Sequence, residues 1–309
     1  MATASTTTPS ALRQGLDWGK LAPLRLRAKT VADGVYAGGH RSRRRGAGIE
    51  FGGQRSYVPG DDLRFIDRHA LLRHGTLLVR QFETETDRTL CLLVDASLSM
   101  SYRGEGAPGA KYAYAALLAA ALCKIAVGAG DRVSLDWFGG ERTVELATAG
   151  GREAFERVVG ALETAQPSAD LESDLPALER AVARVERRAG RGSTVVVLSD
   201  LLDLPAGAEV AIGALGSRGK TLSVARVLDP TELSFPFTGP LHLRSLEGEV
   251  RIETDAAAAR PQYLAALTAQ SERWSERLLS RGGSLVLLNT ADDPVKAVRQ
   301  ILDSVGGVL

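Results

Sequence analysis

Two short apolar runs constrain the fold more than any other feature of this chain. TLCLLVD (89–95) and STVVVLSD (193–200) show no alternation of polar and apolar residues, which is typical of strands buried on both faces of a parallel sheet. Helical patterns separate these runs from each other and from later strand patterns at 221–228 and 284–289. The sequence therefore predicts a doubly wound α/β domain over residues 89–309, with a mainly parallel sheet and helices on both faces.

The residues before this domain have a different character. Residues 1–15 are rich in Thr, Ser and Ala, and this composition predicts a disordered N-terminus. Residues 16–88 combine many charges and glycines with short apolar stretches and no sustained helical period. We expect a small β-rich segment there.

Composition narrows the classes of function. Lys and Arg number 38 against 37 Asp and Glu, so no global field favours nucleic acid or an anionic membrane. Cys91 and Cys123 lie inside apolar runs, as buried thiols do in a reducing compartment.

The apolar stretch 111–127 is short for a bilayer span and contains Lys124, so it predicts a buried helix. With no apolar core of a signal peptide near residue 1, we expect a cytoplasmic protein.

Polar side chains follow both of the apolar runs. Asp95, Ser97 and Ser99 follow the first, and the second ends in Asp200. The carboxyl ends of neighbouring parallel strands meet at one edge of a sheet, where ligands bind, and hard oxygen ligands suit Mg²⁺ or Mn²⁺. The sequence thus predicts a divalent-cation site. The alternative is that the serines are turn residues and that Asp95 caps a helix or loop.

The sequence gives weaker support for an enzymatic function. Gly109-Ala110-Lys111-Tyr112 places a lysine after a glycine-rich loop, but the order and the missing hydroxyl do not satisfy a phosphate-binding loop. Asp95 could serve as a phosphatase nucleophile, although the haloacid dehalogenase pattern requires an acid where this chain has Ser97. The four histidines show no paired ligand spacing. A metal-dependent hydrolase or phosphatase that uses the same acids is the competing hypothesis.

Several of these motifs resemble a known family. DASLSM with VVVLSD is similar to the metal-ion-dependent adhesion site of von Willebrand factor A domains, and residues 48–85 and 228–237 resemble segments of the domain-of-unknown-function 58 (DUF58) proteins. The resemblance covers about residues 34–305. The residues that match the family's upstream pattern are Arg55, Tyr57, Pro59, Gly60, Asp61, Asp62, Arg64, Ile66, Asp67 and Arg73.

The resemblance implies one further metal ligand, and this sequence departs from the family's pattern at two positions. A-type domains supply a threonine from a loop before a helix, and the aligned position here is Ser173 in one register and Ala169 in the other. Ser173 keeps a hydroxyl and is preferred, although it could equally be the N-cap of the next helix. Arg68 stands where many relatives have Trp.

The resemblance also implies a function. In such a site the cation keeps one position open for an acidic side chain of a partner, so the chain is expected to be a non-enzymatic protein-interaction module. Relatives are commonly encoded beside MoxR-type AAA+ ATPases, which implies an adaptor role for such an ATPase. A third hypothesis is an A-type domain whose metal site has decayed.

Overall fold

The computed structural model describes residues 23–38, 50–58, 66–67, 69–70, 72, 75–83, 88–168, 175–244 and 251–306. The predicted disordered N-terminus, residues 1–15, lies outside these ranges. The chain forms two compact units: residues 1–39 together with 88–309, and residues 40–87.

The larger unit alternates strands and helices along most of its length. Its helices are α1 (Leu24–Gly38), α2 (Lys111–Gly128), α3 (Gly151–Thr164), α4 (Leu175–Arg188), α5 (Ala208–Ala214), α6 (Pro230–Ser234), α7 (Ala256–Leu279) and α8 (Pro294–Ser304), with a 3₁₀-helix at Leu98–Ser101. Strands β1 (Glu50–Ser56) and β2 (Leu78–Glu83) belong to the smaller unit. The strands of the larger unit are β3 (Thr89–Asp95), β4 (Arg132–Phe138), β5 (Leu146–Ala149), β6 (Thr194–Ser199), β7 (Thr221–Leu228), β8 (Pro240–Arg244), β9 (Arg251–Asp255) and β10 (Gly283–Asn289).

A six-stranded sheet organises the larger unit. Its strand order is β10-β7-β6-β3-β4-β5; the edge strand β5 is antiparallel to β4, and all other pairs are parallel. The chain runs from β3 to β4 on one side and later returns to β6 on the other side. The strand order therefore reverses between β3 and β6, the place where doubly wound sheets bind ligands. The predicted fold class is confirmed.

Helices cover both faces of this sheet, because its central strands are apolar on both. Leu90, Leu92 and Val94 of β3 join one buried cluster with α1, α2, α3 and α8. Cys91 and Leu93, which alternate with them, join a second cluster with α4, α5 and α7. The uninterrupted apolar run in the sequence thus reflects burial on both faces.

Helix α2 crosses the centre of the first of these clusters. Among the described residues it is the one helix long and apolar enough to cross a membrane by composition, yet 83% of it is buried inside the protein. It packs on α1, α3 and β3. A helix that is apolar on all sides is expected in such a central position.

Helix α1 corrects the prediction of a β-rich segment over residues 16–88. Its buried residues Leu24, Ala28, Val31 and Ala32 follow a helical spacing and pack in the first core cluster. These four side chains are small or medium in size and charged residues lie between them. The sequence pattern is therefore too weak to predict a helix here. Arg299 of α8 also donates from Nη2 to the Gly34 carbonyl oxygen at 2.7 Å, which ties α1 to the larger unit.

The smaller unit contains one described ladder. Strands β1 (Glu50–Ser56) and β2 (Leu78–Glu83) pair antiparallel, with a bulge between Phe51 and Gly53. A single bridge joins Ile66 to Val79 of β2. The described part of this unit thus contains two strands, at Glu50–Ser56 and Leu78–Glu83.

Candidate functional site

The ends of β3 and β6 bring Asp95 and its first partners together. The two strands are paired up to Val94 and Leu198, so the residues after them leave the sheet side by side. Asp95 is completely buried; its Oδ1 accepts from the Ser97 backbone N–H at 2.8 Å, and its Oδ2 accepts from Ser199 Oγ at 2.5 Å. Each oxygen of this carboxylate therefore keeps unused acceptor capacity.

The next two hydroxyls converge beside Asp95. A 3₁₀-helix over Leu98–Ser101 turns the chain directly after Ser97, and this turn places Ser97 Oγ 3.1 Å from Ser99 Oγ. Both serines are buried. Neighbouring oxygens around an octahedral Mg²⁺ lie about 3 Å apart, because each is about 2.1 Å from the ion. The hydroxyl pair thus has the spacing of two adjacent ligands.

Two glycines allow the turn after β4 to lie close to the loop that carries Ser97 and Ser99. Gly139 and Gly140 follow β4 with φ of 68° and 85°, backbone conformations that favour glycine. A Cβ on Gly139 would lie 2.8 Å from the Ser97 backbone nitrogen, and one on Gly140 would lie 2.6 Å from the Ala96 Cβ. The turn after β4 therefore supports the loop that carries the serines, and larger residues there would displace it.

On the β6 side, Asp200 is held by a lysine that the sequence did not assign to the site. Lys111, the first residue of α2, donates from Nζ to Asp200 Oδ2 and to Glu232 Oε1, both at 2.6 Å. The side chains of Lys111 and Asp200 are 1% and 0% exposed. Burial alone would lower the pKa of Lys111, but the two carboxylates raise it above its ordinary value, so the ammonium stays charged.

Glu232 belongs to a capped helix that contacts the loop between β3 and α2. Asp229 caps α6, since its Oδ1 accepts from the Thr231 backbone N–H and Glu232 Oε2 accepts from the Asp229 backbone N–H, both at 2.8 Å. The Gly104 backbone N–H donates to Asp229 Oδ2, also at 2.8 Å. A Cβ on Gly104 would lie 2.1 Å from Thr231 Oγ1, so this close approach requires glycine.

A buried arginine on β7 fixes the loop that follows Asp200. Arg226 donates from Nε to the Asp200 carbonyl oxygen at 3.0 Å and from Nη1 to Ser271 Oγ at 2.5 Å. Its Nη2 donates to Gln270 Oε1, and Gln270 Nε2 donates to the Leu201 carbonyl oxygen at 2.9 Å. Helix α7 therefore holds the Leu201 carbonyl directly through Gln270, and it holds the Asp200 carbonyl through Arg226.

The charges in this cluster do not balance. The ionisable groups tied together at this edge of the sheet are four carboxylates (Asp95, Asp200, Asp229, Glu232) and two cations (Lys111, Arg226). Among the described residues, no cationic side chain pairs with Asp95. Burial, with a further contribution from the charge of Asp200, raises the pKa of Asp95 well above its ordinary value. The cluster carries two uncompensated negative charges when all its groups are ionised.

This arrangement fits a divalent cation held mainly by oxygen ligands. Asp95, Ser97, Ser99 and Asp200, all predicted from the sequence, lie together, and the unshared acceptors of Asp95 face no cation within the described chain. The described residues contain no group of three or more His, Cys, Asp or Glu placed to hold a metal, so such an ion would depend on hydroxyls and on ligands from outside. The two residues that could occupy the family's threonine position, Ser173 and Ala169, lie outside the described residues.

Sequence reasoning missed Lys111, Glu232, Asp229 and Arg226. The sequence pattern marks Lys111 only as a lysine after a glycine-rich loop that does not satisfy the phosphate-binding motif. The D-P-T-E pattern at 229–232 does carry a local signal, because an acid followed by proline and then glutamate predicts a capped helix start. No local pattern shows that this helix lies beside Asp200.

Comparison with known proteins places these residues in a family context. The family model described as "Protein of unknown function DUF58" matches residues 53–273. An uncharacterized protein of Mycobacterium tuberculosis, Rv1480, is 30% identical over 291 residues, which are 92% of this chain and 90% of that protein. An uncharacterized protein of Mycobacterium bovis, Mb1516, matches with the same identity and coverage.

Solved structures show weaker likenesses. The conserved hypothetical protein BatB from Bacteroides thetaiotaomicron is 18% identical with a TM-score of 0.46, over 71% of this chain and 98% of that chain. A von Willebrand factor type A structure from Catenulispora acidiphila is 12% identical with a TM-score of 0.38, over 75% of this chain and 44% of that chain.

Proposed function

The chain belongs to the DUF58 family, and we propose that it is a non-enzymatic protein-interaction module that binds an acidic partner group through a divalent cation. A von Willebrand factor A-like fold suggests a protein-interaction module. The observation that supports the cation is the completely buried Asp95, which meets hydroxyl and amide donors but no cation among the described residues. Leaving a buried carboxylate uncompensated is costly, and a bound ion would remove that cost.

The role of each proposed ligand follows from its chemistry. Asp95 and Asp200 supply charge to Mg²⁺ or Mn²⁺, directly or through water, and Ser97 and Ser99 supply neutral oxygens; we include Ser173 as a further hydroxyl ligand. With so few protein charges the ion remains electron-poor, and it gains most from an added carboxylate. The ion itself then supplies the bond between the two proteins.

Calorimetric titration tests the cation site. We expect Mg²⁺ or Mn²⁺ to bind the purified protein at one saturable site, because Asp95 meets no cation among the described residues and the Ser97 and Ser99 hydroxyls lie beside it. Asp95→Ala should abolish the heat. Glu253→Gln, at a side chain that is 82% exposed on β9, should leave it unchanged and controls for general charge effects. A wild-type protein with neither heat nor a shift in melting temperature would contradict the proposal.

The partner that we propose is a MoxR-type AAA+ ATPase, on the strength of the sequence resemblance. Binding of the purified chain to such an ATPase from the same genome should require Mg²⁺ and should be lost on chelation and in Asp95→Ala. Equal binding with and without the cation would reject the metal bridge. Hydrolysis of p-nitrophenyl phosphate that depends on both Mg²⁺ and Asp95 would instead support the enzymatic alternative.

A further inference from the structure

Lys111 is the most deeply buried ammonium in the described part of the chain. Its side chain is 1% exposed, and its two carboxylate partners Asp200 and Glu232 are 0% and 15% exposed. Burying an ammonium costs several kcal/mol unless its partners are well placed. Here both partners lie at 2.6 Å, and Nζ lies over the Tyr102 ring, 5.7 Å from its centroid.

Lys111 helps to fix the position of the Asp200 carboxylate. Asp200 Oδ2 accepts from Lys111, and Oδ1 accepts from the Leu202 backbone N–H at 2.9 Å. The lysine is itself anchored, because its backbone N–H donates to the Tyr102 carbonyl oxygen at 3.1 Å. The carboxylate is therefore bonded at both oxygens before any ion arrives.

We propose that Lys111 is a positioning residue of the cation site, whose ammonium fixes Asp200 and whose charge limits the affinity of the site for a divalent cation. The inference rests on the proposed function, since it concerns the same site. A positive charge bonded to one of the acids repels a second cation nearby, and the effect is strong where water is excluded. Glu232, which bonds the same ammonium, moderates this repulsion.

The consequence is a site that depends on its partner. With the lysine in place, the protein's own residues hold the ion weakly, and an acidic side chain from the partner completes the charge balance. Without the lysine, the protein would hold the ion tightly on its own. Lys111 would thereby couple retention of the cation to engagement of the partner.

Three variants and two measurements test this inference. Calorimetry gives the affinity for Mg²⁺ or Mn²⁺, and thermal melting in chelator reports the folded state without ion. Lys111→Met, which removes the charge and keeps most of the side-chain length, should bind the cation roughly tenfold or more tightly. Glu232→Gln, which removes the moderating charge, should bind about threefold more weakly. Lys111→Arg keeps the charge and should stay near the wild type.

Opposite shifts in affinity distinguish this role from a merely structural one, because damage to the fold would weaken binding in both variants. Unchanged or weaker binding in Lys111→Met overturns the inference, as does tightening in Lys111→Arg. If Lys111→Met shows no cooperative melting, Glu232→Gln decides, and an unchanged affinity there overturns the inference. A wild type that binds no cation overturns the proposed function as well; a wild type that binds, with variants that fail these expectations, overturns only the role of Lys111.

Discussion

Two completely buried aspartates lie on neighbouring strands of the same sheet, Asp95 on β3 and Asp136 on β4. Asp136 is surrounded by protein cations. Its Oδ2 accepts from Arg188 Nη1 at 2.5 Å, and its Oδ1 accepts from Arg184 Nε at 3.3 Å. Arg184 Nε is also 2.8 Å from Glu145 Oε1. Two carboxylates thus face two guanidinium groups, and the cluster is neutral.

The contrast separates a cluster whose charges the chain balances from one whose charges the described chain leaves unbalanced. Burial raises the pKa of Asp136, and the two arginines oppose that rise. Near Asp95 the charge of Asp200 adds to the effect of burial, and no described cation opposes it. The arginines also bond the carbonyls of Trp137 and Leu146, so the neutral cluster joins α4 to β4 and β5. The unbalanced cluster lies at the switch point of the sheet, where an external ligand can complete it.

The largest expected effect is at the neutral cluster. Arg188→Met should lower the free energy of unfolding by roughly 3–5 kcal/mol, because it leaves buried Asp136 with the longer contact to Arg184 alone. The loss should be the same with Mg²⁺ and with chelator. Urea unfolding in Mg²⁺ and in chelator measures this free energy. If Mg²⁺ restored the stability of Arg188→Met, the two clusters would not differ in the way we describe.

At the unbalanced cluster, stability should depend on the ion. Mg²⁺ at a hundred times its Kd should raise the free energy of unfolding of the wild type by about 2.7 kcal/mol. Asp95→Asn should show no such increase, because it removes the charge that attracts the ion. In chelator this variant should be at least as stable as the wild type, since it removes an uncompensated buried charge. Marked destabilisation in chelator would show that Asp95 is structural, like Asp136.

The serine hydroxyls should contribute affinity with little effect on the fold. Ser97→Ala and Ser99→Ala should each weaken cation binding on the order of tenfold, because each removes one neutral ligand (1.4 kcal/mol is tenfold). In chelator each should change the free energy of unfolding by about 1 kcal/mol or less. Calorimetry beside urea unfolding separates the two effects, and an unchanged affinity in both variants would contradict the ligand assignment.

The smallest effect concerns the two buried cysteines, whose reactivity reports on the two faces of the sheet. Burial raises the pKa of Cys91 to about 11 and that of Cys123 to about 12. A folded-state pKa above the unfolded value of 9.0 stabilises the fold below pH 9, and this stabilisation is lost as the pH rises through the folded pKa. Each thiol should therefore lower the free energy of unfolding by about 1 kcal/mol between pH 9 and pH 10.

Labelling with a thiol reagent at pH 8 measures the same protection. The native wild type should react slowly at both cysteines. Cys91 shares the second core cluster with Val182 and Val185 of α4, so Arg188→Met should label it faster, whereas Asp95→Asn should not. Equal rates in the two variants would mean that the clusters do not stabilise different parts of the sheet.

Local sequence was sufficient for features that depend on burial pattern and spacing. The apolar runs before Asp95 and Asp200 predicted β3 and β6 as strands buried on both faces, and the acids follow from where those strands end. That the two strands are neighbours is shown by the structure. The uniformly apolar stretch after Lys111 likewise predicted α2. Each of these signals lies within a few residues and reflects the surroundings of a single element.

Helix α1 and the partners of the acids required the tertiary structure. Helix α1 is amphipathic over a narrow stripe, and its helical state depends on packing against α2 and α8. Lys111 and Glu232 are separated by 121 residues, and Arg188 and Asp136 by 52; no local pattern relates either pair.

The sequence by itself therefore determined which strands form the centre of the sheet and which acids lie at their ends. Only the tertiary structure decided that Asp136 pairs with two arginines and that Asp95 meets no cation among the described residues. The physical reason is that hydrophobic periodicity is a property of a segment, whereas charge compensation depends on distances between side chains that only the folded chain brings within a few ångströms.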